Sequence, residues 1–169
     1  MNVQQTSQAQ LAPVVSQSAM RSFAFTFAAA ATAAAAAFAS VSFDFPVWVM
    51  FVGWVGYSSR VGTMRNNLAN YACLVMGVVF GIGAALVLPM LQPSFGAAAL
   101  PTVVFIVAMI VVSLRAAPAM NNLACYFLGL IAFFAADPPP TTATLLYLAV
   151  AMGIGCLAAS ISTWLQARV

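Results

Sequence analysis

The run NLANYACLVMGVVFGIGAALVL, from Asn67 to Leu88, contains no charged residue and no proline. Crossing roughly 30 Å of hydrocarbon takes about 20 helical residues, and this run is long and apolar enough to do so. Its side chains do not alternate apolar with polar, as those of a membrane barrel strand would. They form a continuous series rich in Leu, Val, Ala and Gly. In lipid each backbone N–H and C=O must be paired inside its own segment, so the run reads as a transmembrane helix.

Five further apolar segments flank it: Ser22 to Val41, Pro46 to Tyr57, Ala97 to Leu114, Ala119 to Ala135 and Thr141 to Leu165. Four of the six segments are comfortably long enough to cross, the fifth nearly so, and the second is short. Of the 169 residues only 4% are charged and 64% are hydrophobic, with a mean hydropathy of +1.06. A soluble domain carries about 25% charged residues and could not cover its surface with so few. The expected fold is an all-α integral membrane protein of six transmembrane helices. Residues 1–20, polar and uncharged, are expected as a disordered tail, and residues 21–169 as a single transmembrane domain. Pro46, Pro101 and Pro118 fall in first turns, where a missing N–H is harmless. Pro89 and Pro93 are expected to end the third segment.

The charges predict the topology. With six crossings and a cytoplasmic N-terminus, Arg21, Arg60, Arg65, Arg115 and Arg168 all fall on the cytoplasmic side, and Asp44 and Asp137 on the other. That sorting obeys the positive-inside rule at every arginine. A re-entrant second segment would break it. Arg21, the alanine-rich run and Ala37-Phe38-Ala39 also have the form of a signal peptide with a cleavage site. The run is longer than such a core, and it has a counterpart in the second half.

That counterpart comes from an internal repeat at an offset of 76, set by Gly53 and Gly129. Phe51-x-Gly53 meets Phe127-x-Gly129, Tyr71 meets Tyr147, and Met76-Gly77 meets Met152-Gly153. The halves, about 22–90 and 97–166, each carry three crossings and are therefore expected to be inverted. Inverted repeats are common in transporters, with the solute site near the repeat interface.

Gly77-x-x-x-Gly81 and Ala149-x-x-x-Gly153 are spaced to let helices approach closely, and the third and sixth segments are expected to pack through them. Asn66, Asn67, Asn121 and Asn122 have the placement of helix caps and interfacial residues. Asn70 lies a turn deeper. A buried amide in lipid needs a partner, so it either meets a solute or ties two helices together. An expected solute path joins Gly53, Trp54, Asn70, Tyr126 and Gly129 where the short middle segments would meet. The plainer account is that these residues fill space between helices.

Catalysis finds little to work with. The sequence has no His, Glu or Lys, and no carboxylate pair, metal cluster or nucleophile–base pair can be assembled. No glycine-rich loop with a lysine is present to hold nucleotide phosphates. No enzyme activity, metal or cofactor is expected. Cys73, Cys125 and Cys156 lie inside apolar runs and read as small buried hydrophobes. The arginines are scattered and offer no nucleic-acid surface.

PVWVMFVGWVGY, from Pro46 to Tyr57, followed by MGVVFG from Met76 to Gly81, resembles the bacterial inner-membrane family catalogued as domain of unknown function 1097. The likeness extends over about Ser22 to Leu165. It implies a location in the bacterial cytoplasmic membrane and carries no activity with it; the sorting of the arginines puts both termini on the cytoplasmic side. The same Pro-aromatic-Trp segment, followed by an arginine and a glycine-rich helix, is more weakly similar to the membrane half of fusaric-acid-resistance-type exporters. Together these readings lead to an expected channel or transporter-like protein for a small neutral or anionic solute. Its expected partners are the lipid bilayer and further copies of itself. A non-transporting scaffold or accessory subunit is the alternative.

Overall fold

Apolar segments of this length form helices because a helix pairs its own backbone. A computed structural model describes the backbone of residues 3–60 and 62–168, and side chains over 19–60 and 62–168. The described chain is all helix and turn: α1 (Val3–Ser42), α2 (Val47–Ser58), α3 (Met64–Phe95), α4 (Ala99–Ser113), α5 (Leu123–Ala136) and α6 (Thr142–Gln166). Single 3-10 turns cover Gly96–Ala98 and Leu114–Ala116. The disordered tail expected over 1–20 lies, except for Ala19 and Met20, outside the residues described with side chains. Among the described residues, three helical stretches are long and apolar enough to cross a membrane: Ala19–Ser42, Met64–Ala116 and Thr142–Gln166. α2 and α5 are apolar and shorter.

Local chemistry sets the helix ends. Thr63 and Thr141 cap α3 and α6, each hydroxyl accepting from an N–H three residues on, Asn66 and Thr144. Asp44 and Asp137 turn the chain before α2 and after α5 in the left-handed region, φ +57° and +45°, which Asp tolerates better than most side chains. The 53-residue stretch Met64–Ala116 would measure about 80 Å if straight. It reverses at Gly96, φ +51°, and α4 returns along α3 over a groove lined by Val79, Phe80, Val103 and Val107. Pro89 and Pro93 do not end the third helix as expected; both lie inside α3. Each leaves the carbonyl four residues earlier, at Ala85 and Pro89, without its helical N–H donor, a loss that helices in lipid tolerate where other groups pair the freed carbonyl.

The core consists of two helix pairs, α2 with α6 and α3 with α5. In the first pair a Cβ on Gly53 would overlap the backbone of Met152, and one on Gly155 the backbone of Met50 and Trp54. In the second pair a Cβ on Gly77 would overlap the Tyr126 carbonyl, and one on Gly129 the Leu74 carbonyl. Both crossings follow one rule: each glycine rests on the carbonyl three residues before the partner's glycine. Both pairs are parallel. Along α3 and α5, Asn70 meets Asn122, Gly77 meets Gly129 and Gly81 meets Phe133. Along α2 and α6, the Tyr147 hydroxyl donates to the Asp44 carbonyl and the Cys156 thiol to the Gly53 carbonyl at 3.2 Å. α1 lies against α6, and α4 against α3. Their outer faces leave Phe23, Phe27, Phe38, Phe105 and Met109 exposed, an apolar surface of the kind that lipid covers.

The expected pairing of α3 with α6 through their small residues is corrected. Gly77 and Gly81 face α5, against Tyr126 and the Phe133 ring. Gly153 faces α3, but a Cβ on it would come no closer than 3.5 Å to the Tyr71 hydroxyl, which donates to the Ala149 carbonyl at 3.0 Å. The two helices still meet, with the Tyr71 side chain packed between them, but without the glycine-on-carbonyl contact of the two core pairs. On α6 the glycine at the backbone crossing is Gly155.

Candidate functional site

Where α2 ends and α3 and α5 begin, polar residues gather in a chain that is otherwise almost wholly apolar. A cavity of about 440 Å³ opens there, with Arg60, Arg65, Asn66, Asn70, Asn121 and Asn122 in its lining. Asn70 is 1% exposed and Asn122 8%, so each must find hydrogen-bond partners or carry a desolvation penalty. Asn122 Nδ2 donates to Asn70 Oδ1 and to Ser59 Oγ, both at 2.8 Å. Asn70 Nδ2 donates to the Arg60 carbonyl at 3.0 Å. Ser59 Oγ in turn donates to the Gly56 carbonyl at 2.7 Å. Above this floor the Arg60 guanidinium donates from Nη1 to Asn121 Oδ1 at 2.6 Å. These bonds tie the end of α2 to the starts of α3 and α5, joining the two helix pairs.

The cavity lining holds two arginines and no carboxylate. Asp44 precedes α2 and Asp137 caps the end of α5. The lengths of those helices, 12 and 14 residues, put the two acids about 18 and 21 Å away along them. A second cavity, about 350 Å³, lies between α2, α3 and α6 beside Tyr57, Asn67, Tyr71 and Ser160. Asn67 Nδ2 donates there to the Tyr57 hydroxyl at 3.2 Å, and the Asn67 Oδ1 atom is buried without a partner among the described residues. No group of three or more His, Cys, Asp or Glu able to hold a metal ion forms among the described residues.

Of the five residues on the expected solute path, Asn70 alone lines this cavity. Gly53 and Gly129 are each closed by another helix's backbone, Met152 and Leu74, and leave no opening. Trp54 turns toward Ala36, Met50 and Ala158, on the side of α1 and α6. Tyr126 is buried between α3 and α5, with its ring 6.0 Å from that of Phe80 and its hydroxyl donating to the Met120 carbonyl. Trp54 and Tyr126 therefore belong to different interfaces. Glycine makes room, and in both places a backbone has taken it. Asn122, read from sequence as a cap, makes no side-chain cap bond and serves in the cavity floor. Ser59 and Cys125, whose thiol lies 3.4 Å from the Gly56 carbonyl, had no sequence signal.

No curated protein and no solved structure matches the chain. The likeness to fusaric-acid-resistance-type exporters has no counterpart among the family matches. One family, described as "Protein of unknown function (DUF1097)", matches residues 24–167, the stretch from α1 through α6 that forms both helix pairs and the cavity, and the chain belongs to that family.

Proposed function

We propose that this is a non-enzymatic bacterial inner-membrane protein of six crossings, built as two inverted three-helix repeats with both termini cytoplasmic. In this reading it admits a small solute from the cytoplasmic side in the manner of a channel or transporter. The observation that carries the solute reading is the 440 Å³ cavity with Arg60 and Arg65 in its lining, set at the junction of the two helix pairs. The parallel runs of α2 with α6 and of α3 with α5 support the topology, because alternating crossings give each pair a common direction. The positive-inside sorting of the arginines supports it independently. The matching glycine crossings support the repeat, with α2 and α6 corresponding to α5 and α3.

The alternative, a scaffold that transports nothing, is favoured by one observation: the mid-helix glycines Gly53, Gly77, Gly129 and Gly155 are all filled by neighbouring backbone. Proteoliposomes containing this protein alone separate the two. Transport predicts release of small neutral or anionic solutes faster than from protein-free vesicles. Equal release across a panel of both kinds would leave the scaffold.

A further inference from the structure

We propose that the cavity where α2 ends and α3 and α5 begin is an oxyanion site, taking a molecule with a carboxylate or phosphate group. The proposal rests on reading this cavity as a binding site. It does not require that the protein transports.

The hydrogen-bond inventory of the cavity leans toward donors. Four of its acceptors are already engaged inside the protein. Asn70 Oδ1 accepts from Asn122, the Arg60 carbonyl from Asn70, Asn121 Oδ1 from Arg60, and Ser59 Oγ from Asn122. Donors remain. Arg60 uses Nη1 on Asn121, which leaves the rest of its five-donor fork. The Arg65 guanidinium and the Asn66 side chain form no hydrogen bond to protein among the described residues, and both line the cavity. The amide oxygens of Asn66 and Asn122 also remain open, but the N–H donors outnumber them and the two guanidinium groups are charged, so the lining favours acceptor-rich ligands over a cation.

Charge points the same way. Two guanidinium groups share the lining with no carboxylate, beside a low-dielectric helix core that weakens screening. The starts of α3 and α5, helices of 32 and 14 residues, add the partial positive charge of their first-turn N–H groups. Guanidinium forks match carboxylate and phosphate oxygens in pairs. About 440 Å³ lies within the range of small-molecule sites, so the oxyanion can belong to a small organic molecule. A free anion and a lipid headgroup phosphate present the same chemistry.

The test measures binding rather than flux. The full chain in neutral detergent is titrated with inorganic phosphate and with acetate, against chloride at equal ionic strength, and heat release and thermal unfolding are followed. In parallel, the protein is placed in bilayers of phosphatidylcholine alone and with phosphatidylglycerol added. Arg65→Gln is the test variant, since Arg65 is exposed and makes no described hydrogen bond. Arg115→Gln is the control, an arginine outside the cavity lining. Arg65→Gln is expected to weaken phosphate or acetate binding about tenfold, the loss of one charge-assisted contact, with Arg115→Gln unchanged. That result identifies a free oxyanion. Stabilisation by phosphatidylglycerol alone, abolished by Arg65→Gln, identifies a headgroup. No effect of any of the three, or equal effects in both variants, overturns the proposal. Anion binding without flux removes transport and leaves the site standing; flux without anion binding does the reverse.

Discussion

Glycine 53 has no space in front of it for even a methyl group, because the Met152 backbone is already there. Gly129 faces Leu74 in the same way, while Gly83 meets nothing within 4 Å. Gly53→Ala and Gly129→Ala should therefore each destabilise the protein by about 1–3 kcal/mol or more, since backbone cannot move aside as a side chain can. Gly83→Ala should leave stability within about 0.5 kcal/mol. Thermal unfolding in detergent checks all three, and equal effects at 53 and 83 would contradict the crossing. Asn122→Leu should cost about 1–3 kcal/mol by leaving Asn70 Oδ1 buried without its donor, while Arg115→Leu, on an exposed side chain, should cost far less. Asn70 was legible in the sequence as a buried amide needing a partner, but Asn122 as that partner was not. The two meet only because α3 and α5 run parallel in one particular register, which apolar periodicity does not specify. The glycines were legible as places of close approach. Whether a solute or a helix fills such a place depends on which element arrives, and the sequence is silent on that.

At the scale of the helix, the offset of 76 read from the sequence holds for α2 and α5, which begin at Val47 and Leu123. It does not hold for α3 and α6, which begin at Met64 and Thr142, 78 residues apart. α5 has 14 residues and α2 has 12, and the two extra residues account for the change. The gapless comparison thus matched Gly77 with Gly153, whereas the crossing matches it with Gly155. About half a helical turn separates the two registers. Segment positions were legible because hydropathy marked them, although α5 begins at Leu123, five residues after Pro118. The continuation of α3 through Pro89 and Pro93 was not, because a proline reads in the sequence as a helix stop, while helices in lipid can continue through one. The short α2 bears most directly on topology. A reporter fused after Arg60 should be cytoplasmic, and one fused after Asp137 should lie on the opposite side of the membrane. Finding both in one compartment would exclude six crossings.

Across the whole molecule, the strongest contacts join the two halves of the chain. α2 rests on α6, and α3 on α5, so neither half has a core of its own. A chain divided at Gly96, between α3 and α4, should therefore reassemble. Residues 1–96 and 97–169 made together should co-purify through a tag on one piece, while each made alone should be degraded. Separate stable halves would show that the glycine crossings do not hold the protein together. The membrane character and the division into helices were legible from composition and from the spread of seven charges, five Arg and two Asp. The exchange of partners between halves was not, since small-residue spacing permits close packing without choosing between neighbours.

The parallel pairing of α2 with α6 also bears on how the protein is made. α2 covers about 18 Å as a helix of 12 residues, well short of a bilayer's hydrocarbon. The carbonyl of its Gly53 pairs with Cys156, 103 residues further along the chain. At typical ribosome speeds that interval takes about 5–20 s. Throughout it α2 has neither the length to hold itself across the bilayer nor the backbone surface it is shaped to fit. In the six-crossing reading, the insertion machinery must retain it, or leave it at the membrane surface, until α6 emerges. The second helix in sequence thus becomes one of the last to reach its final depth, and a ribosome stalled before Thr142 would leave a chain with α2 unplaced.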